Sequence, residues 1–393
     1  MKNWRRLGMK SEWTKKKLSD IADFNPRETI KKGAIAKKIP MDVIRPFYRD
    51  IPYYVEESFS GGTKFRNGDT IMARITPCLE NGKTAQVSIL NDGEIGFGST
   101  EYIVFRAKEG IADKNYLYYL VCSPEIREPA IKSMVGSSGR QRVQTDVVKN
   151  LELDVPPLVE QEKIGSFLKA FDDKIALNDR INKNLEQHAV AVFNKFYDTS
   201  TNQQPFTTLI NVLGGGTPKT GNPEFWDGSI PFFTPKDVGT PYTFKTEKYI
   251  TESGLKHCNS RLYPQNTTFV TARGTVGKIS LAGSPMAMNQ SCYALASEIV
   301  DPLLVYFYVL KAVTSLKHKA SGAVFDAIVT RDFDGEMINI LSDTDSESAL
   351  SIIKPMMEAI HNNSKENMRL SAVRDALLPK LISGEIDVSS LDI

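Results

Sequence analysis

A seven-residue repeat of apolar side chains, present in two copies, constrains this chain more than any other feature. The first copy runs from about residue 159 to residue 197, and the second lies near the C-terminus. Because the apolar rows are narrow and spaced as in a coiled coil, each copy requires a partner helix, and the other copy can supply it. In the first copy, one row is Ile164, Phe171, Asn178, Leu185 and Val192, and the other is Leu168, Ile175, Asn182, Ala189 and Phe196. In the second copy, one row is Ala349, Met356, Asn363, Leu370 and Leu377, and the other is Ile353, Ile360, Asn367, Arg374 and Leu381.

Two asparagines interrupt the apolar rows at matching positions of each copy, Asn178 with Asn182 and Asn363 with Asn367. The two rows together form the seam along which the helices would meet. Asparagine opposite leucine leaves an amide unpaired, whereas asparagine opposite asparagine can form a hydrogen bond, so this layer fixes the register of the pair. An antiparallel arrangement keeps the layer near the middle. The alternative is two separate amphipathic helices that tolerate polar residues. Leucine at both 178 and 182 is expected to stabilise the helices but to loosen their register.

Composition sets the broad class of protein. A chain of 393 residues with 41% hydrophobic and 24% charged residues is typical of a soluble protein of two to three domains. The net charge of +2 means that any nucleic-acid surface must be a local basic patch. The four cysteines and four histidines lack metal-ligand spacing, the N-terminal stretch lacks a secretory pattern, and the longest apolar run, 302–310, is too short to cross a bilayer. These features predict a reduced, cytoplasmic protein without a structural metal.

The segment before the first long helix predicts a mixed domain. Turn signals separate the apolar runs between residues 39 and 103. The patterns predict a short helix at 13–24, strands at 70–75, 84–90 and 101–106, a helix at 113–134 that Pro124 and Pro129 split, a polar loop at 136–142, and a strand before Pro156-Pro157.

The same order of elements returns after the polar linker 199–204. The patterns predict a short helix at 206–213, strands at 230–233 and 267–271, a helix at 301–319, a loop at 320–323 and a strand at 337–341. Three dipeptides recur at matching points, which are Ala73-Arg74 with Ala272-Arg273, Gly82-Lys83 with Gly277-Lys278, and Ser138-Gly139 with Ser321-Gly322.

The repeat predicts an α+β chain with pseudo-two-fold symmetry, in which two similar mixed α/β domains alternate with two long antiparallel helices that form an intramolecular coiled coil. The expected boundaries are 1–157 for the first domain, 158–198 for the central helix, 199–342 for the second domain, and 343–393 for the C-terminal helix and tail. A helical run of roughly 33 residues spans about 50 Å. This length suits two half-sites of duplex DNA, whose major groove repeats every ~34–36 Å, although the same shape also suits a protein scaffold.

Catalytic motifs are not recognisable in the sequence. Gly82-Lys83-Thr84 resembles the end of a Walker phosphate loop, but Pro77 stands where the first glycine belongs. The run 154–158 resembles a methyltransferase Asp-Pro-Pro-aromatic site only in its prolines. Because no Ser/His/Asp, Cys/His or metal-ligand cluster emerges either, the sequence favours a binding protein without a cofactor over a catalyst.

Three motifs of the chain can be matched to one known family. Residues 153–164 place a strand, Pro-Pro-Leu and Glu-Gln before a helix, which is similar to the junction in specificity subunits of type I restriction-modification enzymes. Gly215-Gly216-Thr217-Pro218 and the ending 377–385, which contains Leu378-Pro379-Lys380, also look like the family. The resemblance covers nearly the whole chain. It weakens at the second domain-helix junction, 341–344, where the prolines and the Glu-Gln are missing, although Thr344 with Glu347 would form a capping box there.

The resemblance implies two target-recognition domains, each reading one part of a bipartite sequence in double-stranded DNA, and a helix pair that sets the unread spacer. It implies that other subunits perform catalysis: methylation subunits, two of them, that dock on the helices and methylate adenine, and motor-nuclease subunits that join through the complex. No membrane partner is expected. The assembled complex would be a site-specific deoxyribonuclease and adenine methyltransferase.

Recognition residues do not transfer from the family, so physical chemistry supplies the candidates. Arginine and lysine read guanine or hold phosphates, while asparagine and glutamine read adenine. The candidates in the first domain are Lys64, Arg66, Arg74, Arg140, Gln141 and Arg142, and those in the second are Lys236, Arg273, Lys278, Asn289 and Gln290. Any one of them taken alone is more simply a solvated surface side chain. Arg74 and Arg273 rank highest because both copies share them.

Three functions remain open on the sequence. A specificity subunit would have no activity alone and would direct methylation to a sequence together with its partner. A free-standing bipartite DNA-binding protein would bind its site tightly without partners. A helical scaffold would show no salt-dependent affinity for DNA.

Overall fold

The computed structural model describes residues 13–239, 241–319 and 327–388. The chain divides into two compact units, the first formed by the described residues up to 177 and from 367, and the second by those between 178 and 366. Two long helices contribute to both units. They are named here the central helix, Leu158–Tyr197, and the C-terminal helix, Asp343–Ile382.

The first unit contains ten strands and four short helices besides its share of the long helices. The strands are β1 Thr14–Lys17, β2 Ala22–Phe24, β3 Ile35–Ile39, β4 Val55–Ser58, β5 Thr63–Phe65, β6 Thr70–Ala73, β7 Thr84–Gln86, β8 Gly96–Gly98, β9 Tyr102–Ala107 and β10 Glu152–Val155. The helices are α1 Leu18–Ile21, α2 Lys114–Cys122, α3 Pro124–Lys132 and α4 Thr145–Lys149.

The antiparallel sheet β2-β9-β6-β7 divides two hydrophobic clusters of the first unit. Side chains alternate between the faces of a strand, so Met72 and Ile103 point into one cluster while Ile71 and Val104 point into the other. The Met72 face packs with the buried side of α2. A second sheet, β4-β3-β8-β5, lies in the same unit, and β1 pairs with β10.

The second unit repeats this plan with ten strands and four short helices. The strands are β11 Gln203–Pro205, β12 Asn211–Gly214, β13 Trp226–Phe233, β14 Tyr242–Thr243, β15 Lys248–Ile250, β16 Thr268–Thr271, β17 Ile279–Ala282, β18 Ala287–Met288, β19 Cys292–Ala296 and β20 Met337–Asn339. The helices are α5 Phe206–Leu209, α6 Glu252–Lys256, α7 Pro302–Lys319 and α8 Thr330–Asp334, and a 3-10 turn covers Pro223–Phe225.

The predicted internal repeat is confirmed by the sheets. The order β12-β19-β16-β17 of the second unit, extended by β14, matches β2-β9-β6-β7 of the first, and β11 pairs with β20 as β1 pairs with β10. The helix that follows begins in the same way in both units. Asp113 accepts hydrogen bonds from the N–H groups of Asn115 and Tyr116 before α2, and Asp301 accepts one from the N–H of Leu303 before α7.

The long helices run antiparallel within each unit. In the first unit Asp172 contacts Arg374 and the carbonyl of Ile175 accepts a hydrogen bond from Asn367, so the partner's number falls as the residue number rises. Leu168, Ile175, Asn182 and Ala189, from one predicted row of the central helix, are buried. The last residue of that row, Phe196, is only half-buried, and Phe193 is buried instead. In the other row only Ile164 and Asn178 are buried.

Four local predictions from the sequence are wrong. Residues 13–24 form β1, α1 and β2 instead of one helix, because β1 and β2 pair with the distant strands β10 and β9. Residues 206–213 likewise form only the short α5 before β12 pairs with β19. Pro124 begins α3, where a missing N–H costs little, but Pro129 lies inside that helix without splitting it. Ser342, and not Thr344, caps the C-terminal helix by accepting a hydrogen bond from the N–H of Asp345.

The predicted loop 320–323, with its Ser321-Gly322 echo, lies outside the described residues. No helix in the described part of the chain combines the length and the apolar character that are needed to cross a membrane.

Candidate nucleic-acid interface

In the first unit, Arg74 ties the end of β6 to the loop 135–143. Its backbone N–H donates to the carbonyl of Glu101 over 2.9 Å, and its own carbonyl accepts from the N–H of Val143 over 2.9 Å. Its Nη2 donates to the carbonyl of Val143 over 3.2 Å, while its Nε is buried without an acceptor. Arg74 therefore holds its guanidinium against the loop that carries three other candidates.

The loop itself presents Arg140, Gln141 and Arg142 at this strand end. The carbonyl of Gln141 accepts from the N–H of Thr76, and the backbone of Arg142 pairs in both directions with Val135. Arg140 is exposed, and its side chain has no partner among the residues that the structure describes. The turn depends on Gly139, whose φ of 78° is a left-handed value that glycine adopts without strain. Four of the six candidates of the first domain thus lie together.

A carboxylate lies in this group of cations. Nε and Nη2 of Arg142 donate to the two oxygens of Glu101 over distances of 2.7 to 3.0 Å. These bonds, and the charges of Arg142 and Arg74, hold the pKa of the Glu101 carboxyl below its usual value, although partial burial opposes them. Glu101 is therefore ionised at neutral pH. The sequence alone did not single it out, because a search for DNA contacts looks for cations and amides.

Lys64 and Arg66 do not join this group. Lys64 lies on β5, in the other sheet, with its ammonium 5.3 Å from the centre of the Phe59 ring. Arg66 precedes β6, at the opposite end of that strand from Arg74, and its Nε lies 2.7 Å from the Glu28 carboxylate. Glu28 is nearly buried, since its side chain is only 4% exposed, so Arg66 is held in an ion pair within the unit.

In the second unit, the hairpin between β16 and β17 gathers all five candidates. Arg273 lies two residues after β16, one position further than Arg74 after β6, because Ala272 makes the backbone hydrogen bonds that match those of Arg74. The N–H of Arg273 donates to the carbonyl of Ser291 over 3.3 Å. Its side chain is exposed and has no partner in the described ranges. Asn289 is held by a bond from its N–H to the carbonyl of Phe233, and its Oδ1 accepts from the N–H of Ser291. Asn289 thus uses its amide oxygen to shape the loop.

The glycine-rich stretch 214–216 positions Gln290. The Oε1 of Gln290 accepts a hydrogen bond from the hydroxyl of Thr217. A Cβ on Gly215 would lie 2.2 Å from the carbonyl oxygen of Asn289, so only glycine lets the two backbones pass this closely. The Gly-Gly-Thr-Pro motif therefore has a local role, which is to place the chain beside the Asn289-Gln290 turn.

The hairpin tip also brings lysines together. The hydroxyl of Thr275 donates to the carbonyl of Pro235, next to the exposed Lys236, which forms a 3.5 Å ion pair with Glu247. Lys317 on α7 donates to the carbonyl of Gly277 over 2.7 Å. Burial lowers the pKa of Lys317, and the charge of Lys278 lowers it further. The sequence missed Lys317 because nothing local shows that the end of α7 packs under this hairpin.

The polar layer between the long helices is built from more than asparagine pairs. Asn363 donates to the Oδ1 of Asn182 over 2.9 Å, which is the predicted type of bond. Asn182 donates to Ser364, and Asn178 donates to Glu366 over 2.8 Å. Asn367, in the first unit, donates to the carbonyl of Ile175 over 3.4 Å. The Ser364 and Glu366 side chains and the Ile175 carbonyl therefore supply hydrogen-bond partners that the sequence analysis expected from asparagine alone.

These contacts reverse the expected effect of leucine at position 182 on stability, because Asn182 accepts a hydrogen bond from Asn363. Asn182→Leu alone leaves the Asn363 amide without its acceptor, so we expect a loss of about 1–3 kcal/mol in the free energy of unfolding. Asn182→Leu combined with Asn363→Leu should recover most of this loss, because neither member of the Asn182–Asn363 hydrogen bond then lacks its partner. Chemical denaturation of both variants measures the difference, and equal losses in the single and double variants would contradict the bond.

Two further observations concern metal binding and thiol reactivity. No group of three or more histidine, cysteine, aspartate or glutamate side chains within them is arranged to hold a metal ion. Burial raises the pKa of the Cys122 thiol and of the Cys292 thiol to about 12, which keeps both protonated.

Comparison with known families decides the assignment. The sequence profile described as "Type I restriction modification DNA specificity domain" matches residues 10–187 and again residues 207–368. The chain belongs to this family. The two matches fall on the two halves of the internal repeat, so each half of this type I specificity subunit corresponds to one specificity domain.

Individual relatives cover different shares of this specificity subunit. It is 28% identical over 168 residues to the type I restriction enzyme MjaIX specificity subunit of Methanocaldococcus jannaschii, and the alignment covers 41% of this chain and 39% of that protein. It is 32% identical over 207 residues to the EcoAI specificity subunit of Escherichia coli, covering 51% of this chain and 32% of that protein. The alignment thus spans well under half the length of either relative.

Two matches extend over nearly the whole chain. The HindI specificity subunit of Haemophilus influenzae is 22% identical, with 96% of this chain and 100% of that protein covered. Among solved structures, the type I restriction-modification S subunit from M. genitalium superposes with a TM-score of 0.58 at 14% identity, covering 97% of this chain and 98% of that one. The second match shows a shared fold.

Proposed function

We propose that this chain is the non-catalytic subunit that selects the DNA sequence for a type I restriction-modification complex. Each unit would read one part of a bipartite target in double-stranded DNA, and the paired long helices would set the unread spacer. One observation carries the proposal. In a chain of the specificity family, an arginine follows each of the equivalent strands β6 and β16, Arg74 directly after β6 and Arg273 two residues after β16, beside loops rich in cations and amides.

The proposal includes partners that supply the chemistry. Methylation subunits, two by resemblance, would dock on the helices and methylate adenine within the target, and motor-nuclease subunits would join through the complex. The domain boundaries at 157, 198 and 342 belong to the same proposal. The assembled complex would be an adenine DNA methyltransferase and a site-specific deoxyribonuclease, whereas this chain alone would be inactive.

DNA affinity, measured on the purified chain with and without a co-purified methylation subunit, separates the three functions. The proposal expects sequence-dependent binding that becomes tight only in the complex and weakens as salt rises, because phosphate contacts release counterions. Equally tight specific binding by the chain alone would instead establish a free-standing DNA-binding protein. Binding that does not depend on salt, or no binding at all, would favour a scaffold.

Lys278 offers a finer test of the hairpin in the second unit. Its side chain is exposed next to Lys317, so we expect it to contact a phosphate and not a base. Lys278→Ala should weaken binding to all sequences alike and reduce the slope of log affinity against log salt by about 0.9. Lys311→Ala removes the same charge from an ion pair with Asp198 and serves as the matched control. Lys311 lies on α7 and not on a long helix of the proposed docking surface. Equal slopes in the two variants would exclude the contact.

A further inference from the structure

Glu101 is unexpected at the place where the first unit is proposed to meet DNA. A carboxylate repels phosphates, and this one is ionised, since hydrogen bonds from Arg142 lower its pKa. Its side chain is 23% exposed. An acidic group in such a surface requires a compensating role, and the geometry of its ion pair indicates which one.

Glu101 forms hydrogen bonds with only one edge of the Arg142 guanidinium. Its oxygens accept from Nε and Nη2, over 3.0, 2.9 and 2.7 Å. The Nη1 group makes no hydrogen bond to any residue in the described ranges, and the arginine side chain is 47% exposed. The edge formed by Nη1 and the outer N–H of Nη2 therefore stays free. Two parallel donors on one rigid edge match the O6 and N7 acceptors of guanine in the major groove.

The backbone below Arg142 is also fixed. Arg142 exchanges hydrogen bonds of 2.9 and 3.0 Å with Val135, and the N–H of the next residue, Val143, bonds to the carbonyl of Arg74. The side chain thus starts from a rigid support and is held again at its far end by Glu101. An arginine oriented at both ends loses less conformational entropy on binding than a free one.

This ion pair has no counterpart among the described residues of the second unit, 178–239, 241–319 and 327–366. The carbonyl of Ser291 accepts a hydrogen bond from the N–H of Ala272, as the carbonyl of Glu101 accepts one from Arg74. Ala327 pairs with Arg273 in an isolated bridge, as Arg142 pairs with Ile75, so Ser291 and Ala327 match Glu101 and Arg142. Serine and alanine cannot form an ion pair. The two units therefore differ in the chemistry that they present at the same strand end, which is expected if they read different bases.

We propose that Glu101 is a positioning residue that aims Arg142 at a guanine in the half-site read by the first unit. The proposal rests on the proposed function and adds to it one base and one pair of side chains. Arg142 would donate to the guanine from its free edge, and Glu101 would remain bound to the opposite edge without touching the DNA.

The test measures methylation by the assembled complex on duplexes that carry each base pair in turn at every position of the target. Arg142→Lys keeps the charge but cannot present two parallel donors. We expect it to reduce discrimination for one guanine of the first half-site by roughly 5- to 150-fold. Glu101→Gln should reduce discrimination at the same guanine by a smaller factor, roughly 3- to 10-fold.

Two controls belong to this test. Glu128→Gln removes the same charge from an exposed ion pair with Lys132 in the same unit and should leave the target unchanged. Unchanged reading of the other half-site shows that each variant folds and assembles. Discrimination that stays intact in Arg142→Lys, or falls at different bases in the two variants, would overturn the proposal. If the wild-type complex methylates no two-part target, the proposed function itself fails.

Discussion

Replacement of Arg374 by methionine is expected to destabilise the first unit by about 3–5 kcal/mol, because it leaves a buried carboxylate without its counter-charge. The side chains of Arg374 and Asp172 are only 7% and 5% exposed, and Arg374 Nη1 donates to Asp172. Arg374 also donates from Nη2 to the carbonyl of Phe47, and the hydroxyl of Tyr119 donates to Asp172 over 2.5 Å. Thermal or urea unfolding measures the loss.

The loss should depend on pH. Burial raises the pKa of the Asp172 carboxyl, and Arg374 is the largest influence that opposes this rise. Without Arg374, the pKa of the Asp172 carboxyl in the folded state rises further above its value in the unfolded state. The loss of folding stability is therefore complete above the folded-state pKa and disappears as the pH falls and the carboxyl takes up a proton. The deficit of Arg374→Met relative to wild type should therefore shrink from about pH 8 to about pH 5. A deficit that grows on acidification would contradict this origin.

A second replacement separates the charge from the packing. Asp172→Asn combined with Arg374→Met removes both charges and keeps an acceptor for the Tyr119 hydroxyl. We expect most of the lost stability to return, since a buried pair contributes little beyond compensating its own desolvation. Lys132→Met, in the exposed pair with Glu128, should change stability by less than about 1 kcal/mol.

Replacement of Phe193 by alanine should destabilise the second unit by about 3–5 kcal/mol through the cavity that it leaves. The Phe193 side chain is buried, with ring centres 5.3 Å from Phe307 and 5.2 Å from Tyr308 on α7. Phe196 lies three residues later on the same helix and is only half-buried. Phe196→Ala should cost about half as much or less.

The comparison of these two phenylalanines also tests the sequence pattern. A strict seven-residue repeat puts Phe196 in the seam and leaves Phe193 outside it. Near its end the central helix packs against α7 as well as against the C-terminal helix, so its buried face turns away from the heptad row. A larger loss in Phe196→Ala than in Phe193→Ala would favour the heptad arrangement over the packing of Phe193 against α7.

The features that the sequence predicted are those that repeat or that extend along a helix. The long helices produce a pattern over many turns, and the internal repeat gives two views of the same domain, so the strand ends that carry Arg74 and Arg273 could be matched to within one residue. The error at residues 13–24 has the opposite cause. β1 pairs with β10, more than a hundred residues away, and no local pattern records such a pairing.

The same difference between local and distant features applies to the candidate interface. One loop carries Arg140, Gln141 and Arg142, so the sequence alone places them close together. Their contact with Arg74 and Glu101 could be seen only in the folded structure. Arg66 satisfied the same chemical criterion, but its ion pair with Glu28 depends on how distant segments meet. Charge and residue type select candidates from a sequence, while strand order decides which of them share a surface.

We propose that this chain chooses the DNA sequence at which its complex acts. Methylation-resolving sequencing of DNA from cells that carry the methylation subunit, with and without this chain, tests this role most directly. We expect methylated adenines within a two-part motif with a fixed spacer, and only in cells that contain the chain. Methylation at the same sites in its absence, or an active complex that contains the chain and methylates no two-part motif, would contradict the account.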